Sequence, residues 1–236
     1  MTVTWEEAGW DRVAPGVGRC RLPGWDCTVG LVVGADRVLV VDAGSSLAEG
    51  ALLRARAEEV AGGRVTDLAL THAHFDHVFG AAAFPGAEVY GAVGLETVPA
   101  EELRADAVRH GLAAEEAAEA ARRLVRPGHL VSGERTLDLG GGLRVLLANV
   151  GPGHTPHDLA VLVPGSPETV FCGDLVEESG EPQAGPDAVP ARWPAALDRL
   201  LALGGEDARY VPGHGAVVDA AYVRAQRDAL AARYGG

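Results

Sequence analysis

Lysine is missing from the sequence: all 20 basic residues are arginines, which excludes lysine-dependent chemistry. Cysteine is scarce. Cys20, Cys27 and Cys172 make an odd count without a CxxC pair, so neither a disulfide framework nor a cysteine-type metal site is expected. They read as reduced thiols of a cytoplasmic protein, Cys172 being a small buried residue on a strand. Positive charge is also short. Against those 20 arginines stand 33 acidic residues, a net charge of -13, which argues against a nucleic-acid partner and against docking on an anionic membrane. No apolar run reaches the length of a spanning helix, and the acidic first residues lack the apolar core of a signal peptide. No fixed repeat, low-complexity tract or long linker divides the chain, so residues 1–236 are expected to fold as one domain.

What is present is glycine, 32 residues, and proline, 14, which imply many tight turns between short elements. Residues 27–33 and 38–42 read as a hairpin, the second run being apolar throughout and hence buried. Ser45 and Ser46 precede a helical stretch over 47–60 that Gly62 and Gly63 stop. A strand closing at Thr71, a short helix to Phe84 and a strand at 88–90 follow. The longest helical stretch, 99–124, is broken by Gly111. Strands are expected at 135–139, 143–150, 159–163, 169–172 and 208–211, with helices over 194–203 and 217–233. Strand runs alternating with helices, and hairpins in both halves, suggest mixed sheets with helices outside.

The run Thr71-His72-Ala73-His74-Phe75-Asp76-His77 places three imidazoles and a carboxylate within six residues, at the end of a strand and the start of a helix. Neutral imidazole and carboxylate suit Zn²⁺ and its first-row neighbours. Three more residues of ligand type follow strands: His154 in Gly153-His154-Thr155, Asp174 in Gly173-Asp174, and His214 in Pro212-Gly213-His214-Gly215. Their small neighbours let the backbone turn sharply towards a shared centre.

The ordered set HxHxDH, GHT, GD and PGHG resembles the metallo-β-lactamase superfamily over nearly the whole chain, as does the segment Val40-Val41-Asp42-Ala43-Gly44. The resemblance implies an αββα sandwich of two mixed β-sheets with helices on the outer faces. It also implies a centre of two Zn²⁺, or Fe or Mn, in the cleft at the sheet edges. Carried over by motif, His72, His74 and His154 hold one metal, Asp76, His77 and His214 the other, and Asp174 bridges them. Asp76 also serves catalysis by handling a proton. Asp42 is expected to orient the ligand loop, while His157 and Trp193 are candidates for packing around the site or facing a substrate. His110 and His129 read as surface histidines.

The implied activity is a binuclear hydrolase in which a metal-bridging hydroxide cleaves an ester, thioester, lactone or amide of a small molecule. Within the superfamily, class B β-lactamases usually carry cysteine or a non-ligand where Asp174 stands, and flavodiiron proteins have glutamate at the position of His74. Glyoxalase II carries a longer C-terminal extension than the 22 residues after His214. An iron-dependent oxidase or sulfur dioxygenase on the same cage, and a non-catalytic metal-binding sensor, are the alternatives. The segment 177–193 directly follows the bridging-ligand turn and is either a cover over the site or an ordinary surface loop. The sequence leaves the oligomeric state open.

Overall fold

Two sheets lie face to face in the computed structural model, which describes residues 3–234. The first has seven strands in sequential order: β1 (Asp11–Ala14), β2 (Val17–Arg21), β3 (Thr28–Val33), β4 (Val38–Val41), β5 (Asp67–Leu70), β6 (Glu88–Ala92) and β7 (His129–Val131). β1 to β4 pair antiparallel and β4 to β7 parallel, so the sheet is mixed. The second sheet holds β8 (Glu134–Asp138), β9 (Arg144–Asn149), β10 (Leu159–Val163), β11 (Thr169–Glu177) and β12 (Arg209–His214), in the order β12-β11-β10-β9-β8. Only β11 and β12 run parallel in it.

Between the sheets, Val32, Leu39 and Val41 from the first meet Leu147, Val161 and Phe171 from the second in one buried apolar layer. Outside the first sheet lie α1 (Leu47–Ala61), α2 (Phe75–Val78), α3 (Ala100–Arg109) and α4 (Ala114–Arg122), packed through a second cluster that includes Leu53, Phe79 and Leu103. Outside the second sheet lie α5 (Trp193–Gly204) and α6 (Ala220–Tyr234), anchored by Trp193, Leu197 and Val223. The layers are α, β, β, α. Among the described residues no helix is long and apolar enough to cross a membrane.

Local chemistry explains the element ends. Ser46 caps α1 by accepting from Glu49 N at 3.2 Å, and Gly62 closes it in the left-handed conformation at φ 64°. Gly111 at φ 99° separates α3 from α4, where the sequence pattern placed a break. Three features differ from the sequence reading. The hairpin β1–β2 was not expected, since Arg12, Arg19 and Arg21 interrupt its apolar pattern. β7 is three residues long and follows Pro127-Gly128, which reads as a turn. β11 does not stop at Cys172 but continues to Glu177 through register shifts beside Gly173, and β12 runs on to His214.

Candidate metal centre

Five chain segments converge at one edge of the sandwich. β4 and β5 run parallel, so Asp42 and Thr71 follow their adjacent C-terminal ends. His72 comes next, His74 occupies the N-cap position of α2 in an extended conformation, and Asp76 and His77 lie in the single turn of that helix. His154 lies between β9 and β10. Asp174 sits inside β11, beside the irregularity, and His214 ends the parallel neighbour β12. These two are strand residues rather than turn residues, which corrects the sequence reading. The bulge does what a turn was expected to do, re-aiming one side chain off the ladder. Gly173 at φ 54° makes the bulge. A Cβ on Gly213 would overlap Asp174 Oδ1, so only glycine lets β12 pass so close.

Each of the five imidazoles has one nitrogen held from outside by an oxygen. His77 Nδ1 donates to Asp42 Oδ2 at 2.9 Å, His74 Nε2 to Asp187 Oδ2 at 3.2 Å, His154 Nδ1 to the Gln183 carbonyl at 3.1 Å and His214 Nδ1 to the Trp25 carbonyl at 2.8 Å. Carboxylates and carbonyls only accept, so the proton sits on the outer nitrogen. His72 reaches the same state indirectly. Thr71 Oγ1 donates its one proton to Asp42 Oδ2 at 2.8 Å and therefore accepts from His72 Nδ1 at 3.0 Å. In the neutral rings the remaining nitrogens thus turn lone pairs inward.

The inward atoms meet at ligand spacing. His74 Nδ1 and His154 Nε2 are 3.0 Å apart, a spacing at which both can reach one cation once His74 Nδ1 is free of a proton. Asp174 Oδ2 lies 3.7 Å from His72 Nε2, 3.5 Å from His154 Nε2 and 3.2 Å from His214 Nε2, while its Oδ1 lies 3.2 Å from His77 Nε2. Asp76 Oδ2 is 3.7 Å from His77 Nε2 and 3.5 Å from His214 Nε2. The edge of a tetrahedron with zinc-ligand bonds of about 2.0–2.1 Å is roughly 3.4 Å. His72 Nε2 and Asp174 Oδ1 are buried without any hydrogen-bond partner, a cost that a cation removes. His72, His74, His154 and Asp174 form one set of donors within 4.8 Å of one another, and His77, Asp174 and His214 form another. The donor set fits a divalent metal.

Electrostatics separate His72 and His154 from the other three rings; His74 is raised, its burial outweighed by Asp187. Burial, then the neighbouring His77, holds His72 well below the ordinary imidazole value, and burial brings His154 down to about 4. At His214 burial is outweighed by Asp174, which raises the ring to about 9. His77 is also raised, burial being overcome by Cys27, Asp174, Asp76 and Asp42. Asp174 is held well below the carboxylate range because His214, His77 and His72 overcome its own burial.

Asp42 organises this edge. It is buried, adopts φ 66°, and accepts from Thr71 N at 2.8 Å as well as from Thr71 Oγ1 and His77. A non-glycine residue in the left-handed region carries strain that three hydrogen bonds offset. Trp193 is fully buried with its ring 5.3 Å from that of His154, and its Nε1 donates to the Leu175 carbonyl at 3.0 Å. It packs behind His154 and does not line the cavity above. His157 does line that cavity, its ring seated on Gly94.

The cavity has a volume of about 1140 Å³, with His74, Asp76, His154, Asp174 and His214 at its floor. The segment 177–193 walls one side and holds two floor histidines through Gln183 and Asp187; it is no ordinary surface loop. His110, read from sequence as a surface histidine, is exposed yet belongs to the cavity wall, stacked on Phe75 at 5.9 Å. Asp187, Gln183 and the Trp25 carbonyl had no signal in the sequence, because each reaches its histidine across more than twenty residues of chain. Cys27 lies 3.7–3.8 Å from the ring nitrogens of His77, and only its place before a strand hinted at burial.

A family model described as the metallo-β-lactamase superfamily matches residues 22–214. The chain belongs to that superfamily. Among solved structures it resembles a metallo-β-lactamase from Pontibacter korlensis, at 19% identity and a TM-score of 0.72, over 94% of this chain and 97% of that one. It also resembles the metallo-β-lactamase FIM-1 from Pseudomonas aeruginosa in its mono-zinc form, at 21% identity and 0.70, over 95% and 94%. A metallo-β-lactamase from Hirschia baltica matches at 17% identity and 0.69, over 94% and 96%. At such identities these likenesses establish the fold. No curated protein matches the sequence significantly.

Proposed function

We propose that this chain is a hydrolase dependent on two divalent cations, zinc in the first instance, that cleaves an ester, thioester, lactone or amide bond of a small molecule. The observation that carries this reading is the inward set of donors, five imidazoles with their outer nitrogens pinned and two carboxylates between them. His72, His74 and His154 would hold one cation, Asp76, His77 and His214 the other, and Asp174 would bridge. Zinc supplies Lewis acidity, lowering the pKa of water towards about 7 and polarising a carbonyl oxygen.

The protein's own groups do the rest. Asp42 and Thr71 fix the tautomers of His77 and His72, so in the neutral rings the nitrogens that face inward carry lone pairs. Asp76 directs Oδ2 towards His77 and His214 and lines the cavity, which leaves its other oxygen to take a proton from attacking water and return it to the leaving group. The segment 177–193 shields His74 and His154 from bulk solvent on their outer side.

Elemental analysis with a turnover screen over lactones, thioesters, amides and phosphodiesters tests this. Two equivalents of zinc and turnover of a carbonyl substrate are expected. Iron with oxygen consumption would replace the reading with an oxidase, and phosphodiester turnover alone would replace the carbonyl chemistry. Tight binding of a small molecule with no turnover would leave a sensor.

A further inference from the structure

The walls of the cavity differ from its floor. One side is apolar: Trp25 meets Phe75 edge to face at 5.2 Å, with Val98 and Leu103 beyond. The charged groups above the floor are carboxylates, those of Glu102, Asp106, Glu177, Glu181 and Asp187. Arg109 is the single basic side chain on the lining apart from histidine, and it is spent on Asp106 at 2.7 Å. Glu177 is tied to Ser179 and Asp187 to His74. Glu102 has no ion-pair partner among the described residues, and Glu181 has only Arg233 at 4.0 Å.

Resting on the hydrolase reading, we propose that this site takes uncharged esters or lactones with an apolar body and discriminates against substrates bearing a carboxylate or phosphate. An anionic substituent would leave water with no free arginine on the walls to receive it. It would face Glu102, which has no ion-pair partner among the described residues, and Glu181, held only by Arg233 at 4.0 Å. Cations held by the floor residues would have their charge offset by Asp76 and Asp174 and would act on the group that reacts. The remainder of a substrate meets the walls, where Trp25, Phe75 and Leu103 remove apolar surface from water. The reaction itself needs only water. Its oxygen joins the acyl carbon, the acyl–oxygen bond breaks, and one proton goes to the departing alcohol.

The test compares 4-nitrophenyl butyrate with the near-isosteric 4-nitrophenyl hemisuccinate on the zinc-loaded protein. The neutral ester should have a kcat/KM roughly tenfold or more above the anionic one. The ratio should narrow at about 1 M salt, where the Debye length falls to roughly 3 Å. Glu102→Arg should narrow it at least several-fold by improving the anionic ester. Equal or better turnover of the hemisuccinate would overturn the inference while leaving the hydrolase reading intact. If neither ester is cleaved, the hydrolase reading is decided by the wider substrate screen and the inference by binding. The uncleaved amides N-(4-nitrophenyl)butanamide and N-(4-nitrophenyl)succinamate would be titrated against tryptophan fluorescence, with Trp25→Phe identifying the reporter. Preference for the succinamate would overturn the inference on that arm too.

Discussion

Asp42 does more than any other single side chain to define the site without facing the cavity. Its carboxylate receives a backbone amide, a hydroxyl and an imidazole, and its own backbone is held at φ 66°. Asp42→Ala strands the Thr71 amide and frees the His77 tautomer, so the variant should lose roughly 1–3 kcal/mol of stability. It should also bind metal about 10–100-fold more weakly. Thermal unfolding of the metal-free protein and chelator competition measure the two effects separately. Gly213→Ala should retain the far-ultraviolet circular dichroism spectrum yet lose metal, because the new Cβ would occupy the place of Asp174 Oδ1.

Protons and metal compete for the same nitrogens. His214, raised to about 9 by Asp174, and His77, also raised, must each release a proton before donating a lone pair. Both are protonated below their raised values, so affinity of their half of the site should rise as pH rises. The expected slope from pH 6 to 8 is about tenfold per unit for each proton displaced. His72 and His154 are already neutral there, leaving only His74 to contribute a proton to the other half. Its slope should be shallower. Zinc titrations at several pH values with a competing chelator measure both slopes.

At the scale of elements, the segment 177–193 is joined to the floor by two side-chain contacts and by Val189 N to the Gly153 carbonyl at 2.9 Å. Whatever orders His74 and His154 therefore also orders this segment. Metal loading should slow proteolytic cleavage within 177–193, and Asp187→Ala should abolish most of that protection while weakening metal binding. Limited proteolysis followed by mass spectrometry of the fragments provides the readout.

The same scale shows what a sequence discloses. α1, the α3–α4 break and the buried strands β4, β9 and β10 follow from caps, glycines and apolar runs, which are local signals. β1, β2 and β7 were illegible because pairing partners, rather than their own residue pattern, make them strands. The histidines and aspartates of the floor stand out as residue types at motif spacing. The groups that hold those histidines do not. A backbone carbonyl at Trp25 or Gln183 has no residue type to read, and Asp187 looks like any other loop aspartate.

For the molecule as a whole, the three thiols are buried and unpaired, and burial pushes Cys27 up to about 12 and raises Cys20 and Cys172 as well. A neutral, inaccessible thiol is a poor nucleophile. Ellman's reagent at neutral pH should find no reactive cysteine in the native protein and three after unfolding. The candidate ligands come from both sheets, so a bound cation joins the two layers. It should raise Tm in proportion to the logarithm of free metal, by about 2.7 kcal/mol of stability at a hundredfold excess over Kd.

The scattering of the donors along the chain has a consequence in time. His72, His74, Asp76 and His77 leave the ribosome long before His214. About 140 residues intervene, or roughly 7–30 s at ordinary rates of synthesis. During that interval the nascent chain displays a short histidine cluster with no partners, open to whichever divalent ion binds nitrogen most tightly. Copper and nickel outrank iron and manganese by that criterion. Selection among metals would then await Asp174 and His214, the donors from β11 and β12 that complete the candidate set.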